Sequence, residues 1–214
     1  MIAAVIPAFN EEYTIGSVVR AVRAVPDIDV VIVVNDGSND RTSAIARAAG
    51  ATVIDLPQNI GKGGAMRVGA LSTKADVLFF ADADLIGLRP QHVQSVIDPV
   101  MHGHAAMCIG IRDRWGNLTE FFSKLDPLLA IGGERAIRRD IFDRLPGEYF
   151  QAFEIETAMN HYCHEHKYPV SYVKLVGLDQ VMKEEKFGLI DGFIRRVAMI
   201  GQIVKRRVQF LFSR

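Results

Sequence analysis

Residues 76–84 read DVLFFADAD. Val77, Leu78, Phe79 and Phe80 form an unbroken apolar run of strand length, the pattern of a strand buried on both faces in a parallel sheet. Asp82 and Asp84 follow it after Ala81, with Ala83 between them. Two carboxylates at the end of a buried strand are a candidate chemical site, so the fold turns on whether the neighbouring segments repeat this strand-then-polar pattern.

They do repeat it. Strands are predicted at 2–6, 29–34 and 51–56, the second rich in β-branched residues, and helices at 15–25, 42–49 and 61–72. Pro7 closes the first strand, Gly50 stops the second helix, and 35–40 (NDGSND) is a dense turn cluster. Downstream, a helix is expected over 90–101, a strand over 105–111 leading into Arg112, a helix over 153–164 and a late strand over 170–176. Residues 117–150 are less regular and carry Gly132-Gly133 and Pro146-Gly147. Alternating strands and helices predict an α/β fold with a mostly parallel central sheet, right-handed crossovers and helices on its faces. In such sheets ligands bind beyond the carboxyl ends of the strands, so 7–11, 35–40 and 82–84 are expected to line one crevice.

The chain has 214 residues, 49% hydrophobic and 23% charged, which excludes disorder and supports a core without staples. Its two cysteines, Cys108 and Cys163, make neither a disulfide framework nor a metal knuckle. Formal net charge is zero, which disfavours a nucleic-acid partner. The charge is uneven, however: residues 186–214 hold seven basic residues against one acid. There Ile190, Phe193, Ile194, Val197, Ile200, Val204, Val208 and Leu211 keep helical spacing, with Arg195, Arg196, Lys205 and Arg206 between them. A basic amphipathic helix of this kind suits an anionic membrane surface, or a face packed on the domain or on a second copy in a homodimer. The domain reading is a catalytic domain over 1–185, split near residue 100 into two halves, with 186–214 as a tail. No run reaches the roughly 18–20 apolar residues of a spanning helix, and no basic residue precedes the apolar start, so a cytoplasmic location, peripheral to the membrane through the tail, is expected.

Hard carboxylate oxygens at Asp82 and Asp84 suit Mg²⁺ or Mn²⁺, with substrate phosphates completing the shell. Asp36 can accept hydrogen bonds from a nucleobase or ribose, while Ser38 and Asp40 suit a turn and a helix cap. Pro7 and Phe9 can wall a base, with Glu11 reaching the nucleoside. His161, Cys163, His164 and His166 mimic a metal cluster, but they end a helix before Pro169, so a solvated helix end is expected. The glycines of GKGGAMRVG (61–69) match neither a dinucleotide fingerprint nor a Walker A loop.

PAFNEE, VVNDGSNDRT, NIGKGGAM and FFADADL, in this order and spacing, resemble the nucleotide-sugar half of family 2 glycosyltransferases, closely over 2–86 and more loosely to about 176. The resemblance implies a GT-A, Rossmann-like fold, a nucleotide-diphospho-sugar donor (UDP- or GDP-linked), a divalent metal at the DxD acids and inversion at the anomeric carbon. By position it places Pro7, Phe9, Glu11 and Asp36 at the nucleoside, Lys62 there or at the diphosphate, and Asp82, Ala83 and Asp84 at sugar and metal. The family's usual DDGS has Asn35 in place of its first acid. Within the family the chain looks most like polyprenyl- or dolichyl-phosphate hexosyltransferases. Arg112 then resembles their phosphate-binding arginine, and Arg135, Arg138 and Arg139 sit in a stretch like their acceptor loop. Glu154 and Glu156 match a Phe-Asp-Val-Glu-type helix start; about 200° apart on one helix, only one faces the site, and Glu156 is preferred.

The expected reaction is hexose transfer to a polyprenyl phosphate or other membrane lipid. The alternative acceptor is a soluble hydroxyl, as in glucosyl-phosphoglycerate synthases, where a carboxylate would take the proton. Two other classes compete: a haloacid-dehalogenase-like phosphatase built on Asp82 and Asp84, and a binding protein with no catalysis.

Overall fold

The computed structural model describes residues 1–112, 132–150 and 155–180. The chain divides into two compact units, Met1–Asp179 and Gln180–Arg214, and the fold is that of the first. Glu154 and the tail over 186–214 lie outside the described residues.

In chain order the elements are β1 (Ile2–Ala8), α1 (Ile15–Arg23), β2 (Val30–Asn35), α2 (Thr42–Ala48), β3 (Thr52–Asp55) and α3 (Lys62–Leu71). Then come β4 (Val77–Phe80), β5 (Leu85–Ile86), α4 (Pro90–Met101) and β6 (Met107–Arg112). The last are β7 (Arg135–Arg138), α5 (Arg139–Phe142), a 3₁₀ turn (Gly147–Phe150), α6 (Ile155–Glu165) and β8 (Val170–Leu175). Among the described residues no helix is long and apolar enough to cross a membrane.

Seven strands make the sheet, in the order β3-β2-β1-β4-β7-β6-β8. All neighbours are parallel except β7, which runs antiparallel to both β4 and β6. Burial follows the two-residue period of a strand. On β1, Ile2, Ala4, Ile6 and Ala8 join a core with α1, α2 and α4, while Ala3 and Val5 join a second core with α3 and α6. Val77 and Phe79 of β4 face the first core, Leu78 and Phe80 the second. This two-sided burial is why the strands read as continuous apolar runs. Pro7 does not end β1: it pairs with Val34 and lies past the last β1–β4 pair, Val5 with Phe80, so its missing N–H costs no ladder bond to β4.

β7 was not expected. Its register decides what reaches the crevice. Arg135 pairs with Phe80, at the carboxyl end of β4, whereas Arg138 pairs with Val77, at the opposite end. The residues just before β7 therefore land beside the DxD acids, and those just after it land at the far edge of the sheet.

Candidate active site

The first two predicted segments meet directly, and the third is reached from them through the loop that Asp36 anchors and Lys62, which donates to Asp82. The Asp36 N–H donates to the Ala8 carbonyl (2.8 Å), the Glu11 N–H to Thr42 Oγ1 (2.7 Å) and the Glu12 N–H to Asp40 Oδ2 (3.1 Å). Asn10, in the left-handed region at φ 55°, donates its N–H to Ser38 Oγ and accepts from the Asn39 N–H. Asp40 accepts from the Thr42 N–H at the first residue of α2, but from one position before the N-cap, which is Arg41 rather than the expected Asp40. Phe9 is partly exposed on the rim, Pro7 is half-buried, and Glu11 and Ala83 are buried.

Asp36 is almost wholly buried, and its two oxygens accept the N–H groups of Ile60 (2.7 Å) and Gly61 (3.0 Å). In this structure it anchors the loop that opens α3. Asn35 explains its own departure from the family's acid. Its Nδ2 donates to Asp55 Oδ1 (2.9 Å) and its Oδ1 accepts the Ser38 N–H (3.2 Å). A carboxylate at 35 would have no proton to give Asp55.

The core of the site is a row of alternating charge: Glu134, Arg112, Asp82, Lys62, Glu156. Arg112, the last residue of β6, places Nε and Nη2 on the two oxygens of Glu134 (3.0 and 3.1 Å), and Nη2 also donates to Asp82 (2.9 Å). Lys62, the first residue of α3, donates to the other oxygen of Asp82 and to Glu156 near the start of α6. Burial alone would lift the Asp82 pKa, but Lys62 and Arg112 overcome it and hold the carboxyl well below the usual range. Burial likewise opposes the Lys62 charge, yet Asp82 and Glu156 keep the ammonium above the usual lysine range. Glu134 shifts the other way: burial lifts it, Arg112 opposes the lift, and the Asp82 charge adds to it. Asp84 adds a fourth negative charge, felt at Arg112.

Three arginines expected at an acceptor phosphate are held elsewhere. Arg135 is wholly buried and donates to the carbonyls of Gly132 (2.5 Å) and Glu156 (3.1 Å) and to Asn160 Oδ1 (3.1 Å), so it braces the site from behind. Arg138 pairs with Asp140. Arg139 pairs with Asp143 and donates to the carbonyls of Ala70 and Thr73. The antiparallel run of β7 carries both of these away from Asp82.

Sequence reasoning noted the Gly132-Gly133 pair without a role for it, and passed over Glu134 and Asn160. The signal for Glu134 was the glycine pair just before it. A Cβ on Gly132 would lie 2.1 Å from the Gly110 carbonyl oxygen, and one on Gly133 would lie 2.1 Å from Asp82 Oδ2. Glycine there marks main chain pressed against the DxD acid.

Among the described residues no three His, Cys, Asp or Glu side chains converge as a metal cage. The Asp82–Asp84 pair alone fits the habit of Mg²⁺ and Mn²⁺, which take one or two protein carboxylates and fill the shell with phosphate oxygens and water. The histidine-rich end of α6 is no exception: Cys163 is buried, and His161 sits 3.7 Å from Glu165.

The model of the family described as glycosyl transferase family 2 matches residues 3–154. The glucosyl-3-phosphoglycerate synthase of Mycolicibacterium paratuberculosis is 29% identical over 250 residues, covering 100% of this chain and 72% of that protein. The Mycobacterium tuberculosis synthase is 30% identical over 186 residues, covering 74% of this chain and 55% of its own length. The crystal structure of the M. tuberculosis synthase with Mg²⁺ and uridine-diphosphate superposes with a TM-score of 0.67 at 27% identity, covering 85% of this chain and 71% of that one.

Proposed function

The chain belongs to glycosyl transferase family 2, and from that premise we propose that it moves a glucosyl unit from UDP-glucose, with Mg²⁺ or Mn²⁺, to the hydroxyl of a small phosphorylated acid of the phosphoglycerate type. The names of its relatives support this donor and acceptor. The observation that carries the reading is the charge row at the carboxyl ends of β4 and β6. With Asp84 and the buried Arg135 the described residues bring together four carboxylates against three cations, a net charge of −1. Such a site repels a bare diphosphate and accepts one that arrives with a divalent cation.

A lipid phosphate is anionic already and would need a cluster of arginines to receive it. Of the four arginines expected there, only Arg112 donates to Asp82; Arg135 is buried behind the site, and Arg138 and Arg139 lie away from it. A hydroxyl acceptor needs a proton acceptor instead, and Glu156 stands in the row with Lys62 beside it. We therefore replace the lipid acceptor with the soluble one. The phosphatase reading fails on the same geometry: both oxygens of Asp82 are engaged by Lys62 and Arg112, which leaves it a poor nucleophile.

Asp82 and Asp84 are the residues that would hold the cation. Bound there, the metal supplies charge neutralisation for the departing diphosphate. Asp36 holds the loop over which the nucleoside lies, Phe9 and Pro7 wall it, and Glu156, which accepts a hydrogen bond from Lys62, takes the hydroxyl proton. Preorganised charge of this kind is commonly the largest catalytic contribution.

The test is UDP release from UDP-glucose with Mn²⁺, offered 3-phosphoglycerate or a polyprenyl phosphate. Turnover with the first only is the expected result. Turnover with the lipid only overturns the acceptor, and no turnover together with no UDP binding overturns the donor. Glu156→Gln should lower kcat by roughly 10²–10⁴ with little effect on UDP affinity.

A further inference from the structure

Glu134 carries a role beyond the acids of the DxD pair. Its carboxylate is 1% exposed, and its backbone carbonyl accepts the Gly110 N–H (2.8 Å), so both ends of the residue are fixed on β6. Gly133 before it lies against Asp82. Burying a carboxylate to meet an arginine contributes little stability compared with apolar packing. The gain is in geometry: the two oxygens grip Nε and Nη2 together, which fixes the plane of the guanidinium.

Resting on the donor reading above, we propose that Glu134 is the positioning residue of the site. It holds Arg112 edge-on, so that Asp82 is shared between Arg112 and Lys62 and is not closed into a two-pronged pair with the arginine. Without Glu134 the guanidinium fork turns onto Asp82, the nearest remaining carboxylate among the described residues, at 2.9 Å already. Asp82 and its neighbour Asp84 then present worse geometry to a cation–diphosphate.

Glu134→Gln removes the charge and one acceptor. Glu134→Asp keeps the charge and shortens the reach by one methylene. Each variant is checked for folding by near-UV circular dichroism, and UDP binding is measured by calorimetry across a Mn²⁺ titration. The Mn²⁺ needed for half-maximal UDP binding is expected to rise about tenfold or more in Glu134→Gln and at least about threefold in Glu134→Asp. A residue that served stability alone would lower the folded fraction and leave this midpoint in place. If Glu134→Asp matches wild type while Glu134→Gln does not, charge alone is at work and the positioning role is overturned. If neither variant shifts the midpoint while wild type binds UDP, the positioning role falls and the donor reading stands. Wild type that binds no UDP with Mn²⁺ overturns both. Should Glu134→Gln fail to fold, the Glu134→Asp midpoint decides the question.

Discussion

At Gly133 the site leaves no room for a methyl group. A Cβ would sit 2.1 Å from Asp82 Oδ2, and Asp82 is pinned by Arg112 and Lys62, so it is not free to yield. Gly133→Ala should cost about 1–3 kcal/mol of stability, as overpacking does, and displace the carboxylate. UDP binding with Mn²⁺, measured on the folded protein, should weaken at least about tenfold; unchanged binding would mean Asp82 is not part of the donor site. Asn35 offers a second test at this scale. Asp55 is held down to about 2 by Arg47, then by Asn35 and Ser43. Its stabilising contribution is present above the ordinary carboxylate pKa near 4 and fades as pH falls toward 2. Asn35→Asp restores the family's acid but faces one carboxylate with another, which raises the pKa of the newcomer. Its penalty is therefore greatest at neutral pH and shrinks as pH falls through 4. Asp55 is half-exposed, so solvent screening limits the penalty to about 1 kcal/mol. Urea unfolding at pH 7 and pH 4 measures the difference.

The element that organises the site is β7, and it was the least legible part of the chain. Arg135-Ala-Ile-Arg138 offers a charge at each end and only two apolar residues between them. No alternation rule picks it out, yet Ala136 and Ile137 are wholly buried and Arg135 lies inside the protein. The parallel strands were readable because burial on both faces leaves runs such as VIVV and VLFF. Their polar ends were readable because parallel topology sends them to one crevice. The partners of Asp82 were not. Lys62 and Arg112 come from 20 and 30 residues away in the chain, Glu156 joins only through Lys62, and only the fold assembles them. The antiparallel reversal in β7 likewise separates Arg135 from Arg138, which look equivalent in sequence. Ile137 sets the stability of this strand from its position between β4 and β6. Ile137→Ala should lower unfolding stability by about 2–5 kcal/mol, read as a lower urea midpoint at unchanged slope. Because the ladder hydrogen bonds are main-chain, UDP affinity of the folded fraction should stay within about twofold; a larger loss would show that β7 packing itself shapes the crevice.

Over the whole molecule formal charge cancels, so the chain carries no net positive charge to gather an anionic nucleotide. Attraction must be local, and the local balance at the described site is one negative charge in excess. Protein and diphosphate therefore each need the cation, and neither completes its shell alone: the described residues bring together no third metal-ligating side chain beside Asp82 and Asp84. Metal and nucleotide should bind as one unit. The electron paramagnetic resonance signal of free Mn²⁺ should be undiminished by the protein alone at about 100 µM and should fall by about one equivalent per chain when UDP is added. Removing the metal with a chelator should weaken UDP by about a hundredfold or more, since reciprocity makes each ligand's dependence on the other equal. Raising sodium chloride from about 50 to 300 mM should change the affinity of the metal–UDP unit only about threefold, because the interacting charges are partly buried and little screened. Tight Mn²⁺ binding without nucleotide would contradict the two-carboxylate site and require a further ligand from the protein.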